Sequence, residues 1–156
     1  MEPWPHVRGR LDAILTLSLA VAAALLGCQP LGDPDVWWHL RSGEWVVEHR
    51  RVPTLDPFTF ASADRLWVDL HWLFQVVLAL VYRVGGVPGI ILLTAALSGL
   101  TLLVIRTARG RNWPTWISVV VWLPAVYLMA CRAAPRPEIV SVLLLAVYLT
   151  ILFHCD

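Results

Sequence analysis

The sequence predicts an all-helical, polytopic integral membrane protein with about five spans and one long polar loop carrying an interfacial amphipathic helix. Three observations predict this class. Of the 156 residues, 58% are hydrophobic and the mean hydropathy is +0.68, above the roughly 45–50% apolar content of soluble domains. The apolar residues come in long blocks, which a hydrocarbon solvent requires and a water-soluble core does not. Seven of the nine tryptophans, Trp4, Trp37, Trp38, Trp67, Trp72, Trp113 and Trp116, stand at block edges, where an indole can bury its ring and keep its N–H wet.

The first block, residues 11–31, is rich in Ala and Leu. Its roughly 20 residues match a hydrocarbon core of about 30 Å at 1.5 Å per residue. Asp12 lies at its edge, where a charge costs little. "LLGC" (Leu25–Cys28) resembles a lipoprotein cleavage box, but the apolar blocks that follow favour a retained span. Residues 32–69 form the only long polar stretch. Asp33 can cap a helix, Pro34 fits its first position and Asp35 suits its positive end. Val36, Leu40 and Val47 then share a face, which predicts an amphipathic helix from about Pro34 to His49 on the membrane surface. "RRVPTLDPFTFASADRLW", with two X-Pro bonds, should run extended and turn.

Span two is expected over 66–84, with Asp69, His71 and Gln75 toward one end. "GGVPG" (Gly85–Gly89) reads as a tight turn. Span three covers 87–105, and its Ala95, Ala96, Ser98 and Gly99 offer a small-residue face for a close helix–helix partner. Span four covers 113–131, with a kink expected at Pro124, and span five covers 139–153. With the N-terminus inside and five crossings, five arginines fall inside and seven outside, a weak lean against the positive-inside rule.

Composition also excludes classes. The net charge is +1, so nothing electrostatic favours nucleic acid. Cys28, Cys131 and Cys155 are far apart and show no zinc spacing. No span carries a mid-helix charge and no internal repeat is visible, which argues against a transporter.

"DPDVWWHLRSGEW", "VPTLDPFTF", "LWVDLHWLFQVVLALVYRVGG" and "RPEIVSVLLL" resemble a group of largely uncharacterised bacterial multispan proteins, themselves similar to the N-terminal part of GT-C glycosyltransferases such as protein O-mannosyltransferases and the aminoarabinose transferase of lipid A. The resemblance runs from about Leu11 to the end. It implies a bacterial inner-membrane location, a first loop on the outer face, a polyprenyl-phosphate sugar donor, and Asp33 and Asp35 as the acidic catalytic pair. GT-C enzymes are considerably longer, so the chain is expected to be a fragment or a truncated relative.

The residues support the same chemistry independently. Sugar transfer from a lipid phosphate needs a carboxylate to take the acceptor proton, and positive charge to hold the leaving phosphate. Two aspartates at spacing two could share a divalent cation. Asp35 and His39 fall on one helix face; Asp69 and His71 can return to the same surface; Arg41, Arg65, Arg132 and Arg136 are candidate substrate-binding forks. The alternative for every one of these residues is structural: helix capping, interfacial hydrogen bonding or charge pairing. The alternative for the protein is a non-catalytic multispan scaffold or subunit.

Overall fold

In a computed structural model the described residues are 5–62, 65–107 and 115–155, and they are helical apart from the segments that connect the helices. The helices are α1 (Pro5–Gly27), α2 (Asp35–His49), α3 (Trp72–Thr107), α4 (Thr115–Cys131) and α5 (Pro137–Cys155). Trp4, Trp113, the side chain of Trp116 and that of Cys155 lie outside this description. Among the described residues two helical stretches are long and apolar enough to cross a membrane, Gly9–Gly27 and Trp72–Arg106; the apolar parts of α4 and α5, Val120–Cys131 and Pro137–Phe153, are shorter.

α3 is not one straight rod. Gly86 has φ +59° and ψ −149°, a conformation that glycine alone adopts without steric cost. Residues 81 and 89 would stand about 12 Å apart along a straight helix. Instead, a Cβ at Gly89 would lie 3.1 Å from the Val81 carbonyl oxygen. The chain therefore folds back at the turn expected from "GGVPG", and Pro88 starts the second helical run, where its missing N–H costs nothing.

The chain divides into two compact units, Met1–Pro30 with Ile91–Asp156, and Leu31–Ile90. In the first, α1 packs against α4, and Leu19, Ala23, Leu102, Trp122 and Val126 form the core. α1 also meets the second half of α3 through small residues. A Cβ at Gly99 would sit 3.1 Å from the Ala20 carbonyl oxygen and 3.2 Å from Ala24 Cβ; one at Gly27 would sit 3.3 Å from Ala95 Cα. Further along, the buried Arg106 guanidinium pairs with Asp12. Contacts that pair 27 with 95, 20 with 99 and 12 with 106 make the two helices antiparallel. Of the small-residue face expected to meet an outside partner, Ala95, Ser98 and Gly99 are covered by α1 of the same chain, whereas Ala96 is exposed. Large apolar side chains elsewhere face outward, among them Leu17 and Leu25 on α1, Leu123 and Leu128 on α4, and Leu144 and Phe153 on α5.

In the second unit, α2 begins one residue later than expected and ends at His49, capped by Arg50 in the left-handed conformation. Its Val36, Leu40, Gly43 and Val46 are buried. They face α3: a Cβ at Gly43 would overlap the Gln75 carbonyl group, and it would stand 3.1 Å from Ala79 Cβ. The apolar stripe expected to lie on lipid is covered by protein, because a glycine at its centre lets two backbones touch. The loop between them is extended as expected, with an antiparallel bridge between Leu55 and Leu66. Buried Asp56 holds it, its carboxylate accepting the amides of Phe58 (2.9 Å) and Thr59 (3.1 Å). Trp38 packs edge-on against Phe58 and Trp67, so this tryptophan fastens the loop to α2.

Gly43→Ala should destabilise the protein by about 1–3 kcal/mol through overpacking. Thermal unfolding followed by circular dichroism should show the midpoint falling by at least about 2 °C. Gly32→Ala, which adds a Cβ with nothing within 4 Å, should leave the midpoint unchanged.

Candidate functional site

The Leu31–Ile90 unit gathers polar residues where α2, the end of the loop and the start of α3 meet. Asp33 stands just before α2, and its Oδ1 accepts the Asp35 amide at 3.1 Å. That bond satisfies one of the amides a helix start leaves unpaired. Asp35 is the first residue of α2 and is exposed. One turn on, half-buried His39 sets its ring edge-on to Phe74 (6.0 Å between centroids) and His71 (6.2 Å).

The centre of the cluster is Gln75, buried in the first turn of α3. Its amide nitrogen donates to Asp69 Oδ1 at 3.1 Å and lies 3.4 Å from His39 Nδ1. A carboxylate only accepts, so the amide must turn its NH2 toward Asp69. The second hydrogen then requires His39 Nδ1 to accept, which puts the proton of a neutral ring on Nε2. Asp69 Oδ1 also accepts the His71 amide at 3.0 Å, tying the loop to the helix it precedes. In the same unit four buried side-chain atoms have no hydrogen-bond partner among the described residues: Gln75 Oε1, Asp69 Oδ2, Ser42 Oγ and Trp67 Nε1. Two accept only, one donates only and the hydroxyl does both.

The arginines separate. Arg41 is exposed and pairs with Glu44 at 3.4 Å, one turn along α2. Arg65 is exposed, and its carbonyl oxygen accepts the Asp56 amide at 3.0 Å. Arg51 stands over the Trp45 ring at 5.9 Å, and Glu48 reaches Arg83 at 4.0 Å. Within this unit the structure therefore brings together His39, Asp69 and His71 of the expected site and sends Arg41 to a surface partner. Among the described residues no group of three His, Cys, Asp or Glu side chains could hold a metal ion.

Arg132 and Arg136 belong to the other unit, in the turn between α4 and α5. Arg132 lines a cavity of about 340 Å³ with Ser98, Leu128, Met129, Glu138, Ile139 and Val142. Arg136 is half-buried in the turn, its amide donating to the Ala134 carbonyl oxygen at 2.8 Å.

Sequence reasoning placed Gln75 near Asp69 and His71 but gave it no role; it weighed Glu138 with Arg132 and Arg136 as ligand or lipid-headgroup contacts, and it did not consider Ser42. The signal for Gln75 was a lone amide inside an otherwise apolar helix. No family model, curated protein or solved structure matches this chain.

Gln75→Leu should free His39 Nδ1. In ¹⁵N NMR at neutral pH, the wild-type His39 ring should appear as the Nε2-protonated tautomer. In the variant, the two tautomers should be mixed.

Proposed function

We propose that the chain is an integral membrane protein of the bacterial inner membrane that crosses four times and carries the Leu31–Ile90 unit on its outer side. Large apolar side chains are exposed along α1, α4 and α5, a surface that a hydrocarbon solvent would cover. The antiparallel pairing of α1 with the second half of α3 carries the topology. It returns the chain at Ile91 to the end where it left after Gly27, so residues 31–90 make no net crossing. The roughly 14 residues from Trp72 to the break at Gly86 reach only about 21 Å, short of the 30 Å hydrocarbon core. The crossing helices are then α1, residues 87–107, α4 and α5. Arg10 and Arg106 share the inner end with the basic N-terminal flank and the "RTARGRN" loop, as the positive-inside rule favours.

The activity that best accounts for the outer unit is a GT-C-like glycosyl transfer from a polyprenyl-phosphate sugar. The observation that supports it is the polar cluster of Gln75, Asp69, His39 and His71, with His39 one helical turn from the exposed Asp35. In this reading the Asp33–Asp35 pair takes the proton from the acceptor hydroxyl. The freed oxygen attacks the anomeric carbon, and the bond to the lipid phosphate breaks with its electrons on the phosphate. Of the arginines in this unit, exposed Arg65 is left to hold that phosphate, and a divalent cation on the two aspartates could share the task. A scaffold that associates through Ala95, Ser98 and Gly99 has less support, because α1 already fills that face.

Topology is testable with native cysteines. Cys28 and Cys131 are free and exposed, and four crossings put both on the outer side. A membrane-impermeant maleimide applied to intact spheroplasts should label both, as Cys28→Ser and Cys131→Ser would reveal. Labelling of Cys28 alone would restore five crossings.

Activity is tested in membranes supplied with radiolabelled polyprenyl-phosphate sugars. Asp33→Asn and Asp35→Asn should each lower transfer by at least about 100-fold with insertion intact. Asparagine caps a helix as well as aspartate does, so such a loss would report on the chemistry. Transfer no greater than in membranes lacking the protein would overturn the transferase reading.

A further inference from the structure

The cavity at the α4–α5 turn has a chemistry of its own. Leu128, Met129, Ile139 and Val142 give it apolar walls, and Arg132 and Glu138 place one positive and one negative group on it. Its volume of about 340 Å³ falls within the range of small-molecule sites. Both charged side chains are exposed, and among the described residues neither makes an ion pair with the other. Arg132 follows the last residue of α4, and Glu138 lies in the first turn of α5. A pair of opposite charges beside an apolar wall favours a ligand that answers both. An anionic amphiphile would face Glu138 and a cationic one would face Arg132. An uncharged one would leave both groups without a partner. Only a zwitterion with an apolar part satisfies the whole lining.

We propose that this cavity binds a zwitterionic phospholipid carrying a primary ammonium, its phosphate on Arg132, its ammonium on Glu138 and its acyl chains along Leu128 and Val142. The guanidinium fork matches phosphate oxygens in two parallel hydrogen bonds, and a carboxylate accepts from N–H groups. A quaternary ammonium has no N–H to give and is usually held by aromatic faces. None of the described residues lining the cavity is aromatic, so ethanolamine is preferred to choline. The inference rests on the membrane reading above and is independent of the transferase.

The test is lipid retention by the detergent-purified full chain, measured by native mass spectrometry. The probes are phosphatidylethanolamine, phosphatidylcholine and phosphatidylglycerol of matched chains, with soluble glycerophosphoethanolamine as competitor. Phosphatidylethanolamine should be retained at least tenfold better than the other two, with no competition from the soluble compound. Arg132→Gln should lower retention of phosphatidylethanolamine and phosphatidylglycerol alike. Glu138→Gln should abolish the preference between them. Equal retention of the three lipids by the wild type, or wild-type retention in both variants, would overturn the proposal. Full competition by glycerophosphoethanolamine would also overturn it, in favour of a soluble ligand. Carbonate extraction of cell membranes separates the two levels. A chain released by carbonate removes the membrane reading and the lipid with it, whereas a retained chain without lipid preference removes the lipid site alone.

Discussion

The antiparallel contact between α1 and the second half of α3 is the constraint from which the larger organisation follows. Two helices approach this closely only where side chains are small, and Ala20, Ala24, Gly27, Ala95 and Gly99 supply that surface. At one end the contact is closed by Asp12 and Arg106. A charge as deeply buried as Arg106 is costly without a partner, so this pair discriminates strongly against any other register or direction. The pair adds little net stability, since two ions must lose water to form it. Its effect is on specificity: it fixes the direction in which the second half of α3 runs beside α1.

Within that unit a similar economy operates on a smaller scale. Gly43 lets α2 settle onto the backbone of α3 at Gln75, and the same residue, Gln75, reaches Asp69 and His39 with its side chain. Helix packing and polar clustering are therefore coupled at one position. The loop is held by the carboxylate of Asp56 below and by Trp38, Phe58 and Trp67 above. Among the described residues, buried polar atoms without partners occur in both units, Gln75 Oε1 and Asp69 Oδ2 in this one and Arg106 Nε and Trp122 Nε1 in the other. The proposed sugar site is assigned to Gln75 and Asp69 because they also bond each other beside His39.

Much was legible from local patterns. Asp33-Pro34-Asp35 marks the start of α2 because a side-chain acceptor, a fixed φ and a helix dipole all act within three residues. Gly86 marks the reversal within α3 because no other residue takes its backbone conformation cheaply. The extended run after His49 follows from two X-Pro bonds. The helical class itself follows from apolar blocks too long for strands.

What tertiary structure alone decided depends on partners far apart in sequence. Asp12 looked like a charge at a cheap edge; its partner lies 94 residues away. Ala95, Ser98 and Gly99 looked like a surface for another molecule, and α1 of the same chain fills it. The stripe of α2 looked like a lipid-facing surface and packs on α3 instead. Gln75 looked like one more polar residue near a helix end, and it joins a carboxylate from the loop to an imidazole 36 residues earlier. An amphipathic pattern states that a face must be covered, and a small-residue pattern states that something can come close. Neither names the element that does so, because hydrophobic burial and van der Waals contact are indifferent to chain position. That choice is made only when all the helices compete for the same surfaces at once.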